Sequence, residues 1–116
     1  MALIQYAKAA AIIAFVDVFW LLTFGIYARD MFYNIQGSSL KVRYGSAAIV
    51  YVFLSYMLLQ TKSYTEAFMY GAAIYGVYEF TNHALFTNYD SIVVIADTLW
   101  GGVLFVVARY LLLNVF

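Results

Sequence analysis

The chain has 116 residues, six basic against six acidic, with 66% hydrophobic and only 10% charged side chains. A soluble domain carries about 25% charged residues, so this chain lacks the polar surface that a water-exposed exterior demands. Zero net charge leaves no electrostatic footprint for nucleic acid, and the absence of cysteine excludes disulfides, thiol nucleophiles and thiolate metal sites.

Four apolar stretches follow one another, at about 4–27, 44–60, 65–86 and 91–113. Each is near the roughly 20 residues that a spanning helix needs. No ten-residue alternation of the kind found in membrane strands occurs, and the Ala-rich run from Ala7 to Ala14 favours helix. The reading is an all-α, four-helix transmembrane bundle forming one domain. The first stretch is expected to be retained rather than cleaved as a signal peptide. Its apolar core is too long, Asp17 interrupts it, and no small-x-small cleavage site follows.

Arg29 to Arg43 is read as the longest connection, with Gly37-Ser38-Ser39 as a turn signal and Met31, Phe32 and Tyr33 at headgroup level. Thr61-Lys62-Ser63 is so short that the second and third helices are expected to be antiparallel neighbours. The third connection, Thr87-Asn88-Tyr89-Asp90, is also short, and Asp90 or Ser91 suits the cap of the fourth helix. Four spans place both ends on one side. Lys8, Lys62 and Arg109 then oppose Arg29, Lys41 and Arg43, so charge selects no orientation, and Lys8 and Arg109 can snorkel outward.

The polar residues within the spans are the informative ones. Glu79, Asn82 and His83 stand at i, i+3 and i+4 and share one helix face. At about 1.5 Å per residue, Asp17, Glu79 and Asp97 each come out roughly 20 Å from the side holding the ends. Tyr51 and Ser55 flank the same level on the second helix. Three carboxyl groups from three helices thus form one layer with no lysine or arginine beside it. At least one is expected to carry a proton, unless His83, Arg29 or Arg43 supplies a balancing charge. Small residues four apart, Ala10 and Ala14, Ala72 and Gly76, Thr98 and Gly102, mark faces where helices approach closely in lipid.

Asp17-Val18-Phe19-Trp20-Leu21 and Asp97-Thr98-Leu99-Trp100-Gly101 repeat one signature, an Asp with a Trp one turn later. With Tyr78-Glu79-Phe80-Thr81-Asn82 between them, they resemble an uncharacterised family of small predicted membrane proteins with bacterial and large DNA virus members. The anchors of the resemblance are Asp17, Trp20, Phe32, Tyr33, Gly76, Tyr78, Thr81, Asn82, Asp97, Trp100 and Gly101. Glu79 stands where the family typically has Asp, and His83 is not a position associated with it. The resemblance implies a four-helix topology and no particular activity.

The expected buried polar or ion-binding network is therefore Asp17, Trp20, Tyr51, Glu79, Asn82, His83, Asp97 and Trp100. One reading is a small transport or channel-like protein whose acidic layer binds protons or cations. The other is a structural subunit of a larger membrane assembly or virion membrane, with carboxyl–indole contacts as interhelical glue. The expected partners are the lipid bilayer and either copies of the chain or other membrane subunits. No cofactor, metal or catalytic residue is assigned. Glu79 with His83 is half of a metal set, but a single His without Cys argues against zinc. No nucleophile elbow or phosphate-binding loop supports an enzyme. Tyr64, Tyr70, Tyr75, Tyr78 and Tyr89 are read as packing and belt residues, with Tyr75 and Tyr78 able to donate into the layer.

Overall fold

The computed structural model describes residues 2–116. Four helices make up the fold: α1 (Leu3–Gln36), α2 (Tyr44–Gln60), α3 (Tyr64–Leu85) and α4 (Ser91–Asn114). No strand occurs among the described residues. With no proline to interrupt it, α1 runs on through Arg29 to Gln36, well beyond the apolar stretch. It stops at Gly37, whose φ of 81° is left-handed and whose N–H donates to the Tyr33 carbonyl. The first connection is accordingly residues 37–43, shorter than the sequence suggests.

The later starts are capped by side chains. Ser63 Oγ accepts from the Glu66 N–H at 3.1 Å, and Asp90 Oδ1 accepts from the Ile92 N–H at 2.8 Å. Each bond satisfies an N–H that the first helical turn otherwise leaves unpaired.

Helix α3 packs most intimately along α4, while α1 lies against both α2 and α4. Helices α2 and α3 touch only slightly, so their short connection does not make them a packed pair. Glycine decides this. A Cβ at Gly101 would stand 2.6 Å from the Tyr75 ring and would also strike the backbone of Gly71. Side chains at these positions would push the helices apart. Their absence lets α3 and α4 meet backbone to backbone, a contact that in lipid rests on dispersion rather than on the hydrophobic effect.

The apolar interior has two parts. Ile13, Leu58, Leu104 and Phe105 are in the larger cluster. The smaller one joins Ala28 on α1 to Tyr89, Val93 and Val94, with Phe24, Met31, Phe32 and Ile35 against it. The far end of α1 therefore covers the α3–α4 connection, and Met31 and Phe32 are packing residues. Elsewhere, Phe15 and Leu22 on α1, Phe53 on α2, Val77 on α3 and Leu99 on α4 are exposed. Apolar surface exposed on every helix calls for an apolar surrounding.

Arg109 does not reach outward. Its Nη1 donates to the Thr61 carbonyl at 2.6 Å and to Thr61 Oγ1 at 3.0 Å, and its guanidinium lies 5.6 Å from the Tyr64 ring centroid. It ties α4 to the α2–α3 connection and supplies a cation at the last carbonyls of α2.

A candidate polar site between three helices

The repeated Asp-x-x-Trp signature places one carboxyl and one indole on the same face of α1, and another such pair on α4. The structure pairs them crosswise. Trp20 Nε1 donates to Asp97 Oδ1 at 2.9 Å, and Trp100 Nε1 donates to Asp17 Oδ1 at 2.9 Å. The two indoles stack between these bonds, with ring centroids 4.8 Å apart and planes 3° from parallel. The crossing follows from helix direction. In antiparallel helices, the residue one turn ahead on one helix meets the residue one turn behind on the other. Asp17 and Asp97 are therefore staggered by about one turn, roughly 4.5 Å, rather than level.

The other helices join this clasp. Tyr51 of α2 donates its hydroxyl to Asp17 Oδ2 at 2.8 Å. From α3, the Glu79 carboxyl lies within hydrogen-bonding reach of the Asp97 carboxyl. Glu79 Oε1 accepts from the Tyr89 hydroxyl at 2.6 Å, and Asn82 Nδ2 donates to that hydroxyl at 3.5 Å. Asp17 and Glu79 are 6% and 2% exposed, so these bonds are what offset their removal from solvent.

The donors to Asp17, Glu79 and Asp97 are indoles and phenols. Arg29 and Arg43 are exposed and neither reaches inward. His83 is exposed as well. It stands a turn beyond Glu79 at the end of α3, where its Nε2 meets Ser91 Oγ at 3.3 Å. Of the eight residues expected in the network, Asp17, Trp20, Tyr51, Glu79, Asp97 and Trp100 are brought together. Asn82 joins at the margin through Tyr89, and His83 is left outside. Ser55 turns back to the Val52 carbonyl of its own helix at 2.6 Å.

Tyr89 is the participant that sequence reasoning assigned to the membrane belt. It is 5% exposed. The short connection folds it back over α3, and Phe32 meets its ring edge-on at 5.9 Å. Burial and the bond to Glu79 push its hydroxyl above the ordinary tyrosine value, which keeps it a donor. The available signal was the four-residue connection itself, which returns a side chain near its end toward the last turns of α3.

A cavity of about 180 Å³ opens on this network. Asp17, Glu79 and Asp97 all contribute to its wall, and Trp20, Phe32 and Tyr75 are among its aromatic surfaces. No group of three or more His, Asp or Glu side chains placed to hold a metal ion occurs among the described residues.

Fold and site together define a small all-helical protein with acids joined in its interior and two helices, α1 and α4, long and apolar enough to cross a membrane. Residues 2–112 match the model of a family described as "Predicted membrane protein (DUF2177)", and the chain belongs to that family. No curated protein and no solved structure matches it.

Proposed function

We propose that the protein is a multi-pass integral membrane protein whose linked carboxyls take up and release protons or a cation through the cavity beside them. The observation that carries this reading is the meeting of Asp17, Glu79 and Asp97 on one cavity, with only neutral donors around them. Ionisable groups at bilayer depth are costly, and they are retained where a charge is to be bound or moved. Side-by-side carboxyls such as Glu79 and Asp97 repel one another when both are ionised, so a proton or cation between them is favoured. Four helices offer little room for a private pathway, and an oligomer of the chain would supply the rest.

The test is flux in proteoliposomes. Glu79→Gln and Asp97→Asn each abolish proton- or cation-dependent flux while the purified protein stays folded. Native protein with no flux, or variants with unchanged flux, would remove the transport reading. The second reading, a structural subunit of a larger membrane assembly, is favoured by one specific feature. The crossed Asp–Trp bonds join α1 to α4 whether or not anything enters the cavity.

A further inference from the structure

Away from the polar clasp, α1 carries a stripe that stands open. Leu21, Gly25, Arg29 and Tyr33 recur four apart and follow one another along one side of the helix. Ser39 and Leu40 of the first connection lie beside them and complete a groove of about 530 Å³. The stripe is roughly 18 Å long, close to one leaflet of a hydrocarbon core about 30 Å thick. Its inner part is apolar. Its outer part holds two opposite charges, Arg29 and Asp30, both exposed. Neither forms an ion pair or a side-chain hydrogen bond with another described residue. Ser39 accepts from Gln36 Nε2 through its carbonyl at 3.1 Å, which leaves its hydroxyl free. Lys41 and Arg43 line the next groove along the connection, so the charges in this one balance. Gly25 points the same way. Glycine weakens a helix interior relative to alanine, and at Gly71, Gly101 and Gly102 close neighbours in the chain require it. At Gly25 none does: a Cβ there would meet only the Trp20 carbonyl of its own helix, at 4.0 Å. The backbone is left bare on the groove, where a group from outside the chain can lie against it.

We propose that this groove seats one phospholipid with a phosphoethanolamine head. This rests on the membrane-embedded reading above and not on transport. The occupant has to be apolar beside Leu21, Gly25 and Ile26 and carry both charges beside Arg29 and Asp30, which describes a zwitterionic lipid. The Arg29 guanidinium donates to the phosphate oxygens, and the Ser39 hydroxyl lines the same end of the groove. The Asp30 carboxylate accepts from the ammonium. An acyl chain lies over the bare backbone at Gly25. A choline head has no N–H to give, and its recognition relies on a cage of aromatic faces, of which the groove has one, Tyr33. A purely anionic head leaves Asp30 facing like charge.

Native mass spectrometry of the full chain, released from detergent micelles, tests this. The probes are phosphatidylethanolamine, phosphatidylcholine and phosphatidylglycerol with identical acyl chains. One phosphatidylethanolamine should bind roughly tenfold more tightly than either of the others. Asp30→Asn, at a side chain without a partner in the fold, should erase the preference over phosphatidylcholine. Arg29→Gln should weaken all three lipids, and so should Gly25→Leu, which fills the groove without striking a neighbouring helix. Equal binding of the three lipids, a preference that survives Asp30→Asn, or unchanged binding in Arg29→Gln or Gly25→Leu overturns the assignment. Displacement of the lipid by free O-phosphoethanolamine at equal concentration also overturns it, because the acyl chains would then contribute nothing. A protein recovered in the membrane fraction of cells without a lipid preference loses this site alone. A protein recovered in the soluble fraction loses the membrane reading with it.

Discussion

Helix α4 is held by two neighbours in two different ways. Against α3 it presents glycine, and the backbones meet at Gly71 and Gly101 with little side chain between them. Against α1 it presents a carboxyl and an indole, and the helices are joined by the two crossed Asp–Trp bonds around a stacked ring pair. Lipid tails are as apolar as leucine, so burying leucine against leucine gains little there. What remains is close dispersion contact or a polar bond, and this molecule uses one on each side of α4. The glycine contact leaves no room for an added Cβ at Gly71 or Gly101. The polar clasp is local and depends on which atoms donate.

The strongest way to break the comparison is to add bulk on the glycine side. Gly101→Leu drives a side chain into the Tyr75 ring and the Gly71 backbone. Overpacking typically costs about 1–3 kcal/mol, and a clash with backbone sits at or above that upper end. Loss of a monodisperse folded species, or an equally large fall in denaturation midpoint in micelles, is the expected outcome. A Gly101→Leu protein as stable as the native one would mean that α3 and α4 do not approach as described.

A smaller effect is expected where the α3–α4 contact itself turns polar. Tyr89→Phe removes the donor to buried Glu79 and should cost about 1–3 kcal/mol at neutral pH. The sign of its pH dependence is fixed. A hydroxyl whose ionisation is raised on folding contributes stability that is complete below the unfolded value of about 10 and declines as pH rises above it. The stability gap between native and Tyr89→Phe protein should therefore narrow in alkaline solution. A gap that widens would show that Tyr89 is not a donor to Glu79.

The polar clasp should give the smallest number, and a double-mutant cycle sharpens it. Asp17→Asn, Trp100→Phe and the double variant, unfolded in micelles, should yield a coupling of about 0.6 kcal/mol and no more than about 1.7 kcal/mol. Pairing Asp17→Asn with Trp20→Phe instead tests the crossing, because those two residues share a helix and are not bonded to each other. That cycle should show the weaker coupling. The reverse order would place each indole on the carboxyl of its own helix.

Much of this was legible from residue type and spacing. Four apolar stretches, the lack of proline and the scarcity of charge led to four helices and an apolar surrounding. The Asp-x-x-Trp repeat and Glu79 led to a meeting of acids, since such groups cannot be left facing lipid. The end of α1 was not legible in the same way, because hydropathy fades at Tyr27 while the helix continues to Gln36. Helix continuation there depends on packing against Tyr89 and Val93, which lie more than fifty residues away in the chain. Tyr89 itself looked like one of many belt tyrosines. His83 looked like a partner of Glu79 because periodicity gives the face of a helix but not where the neighbouring helix ends.

Composition and periodicity alone therefore determined the number of helices and which side chains had to be shielded from lipid, because both follow from local geometry and the cost of burying charge. Which indole meets which carboxyl, which helix pairs with which, and what stands beside Glu79 were decided only in three dimensions. Those choices depend on helix direction, which crosses the Asp–Trp pairs between α1 and α4, and on how closely two backbones approach, which Gly71 and Gly101 set between α3 and α4.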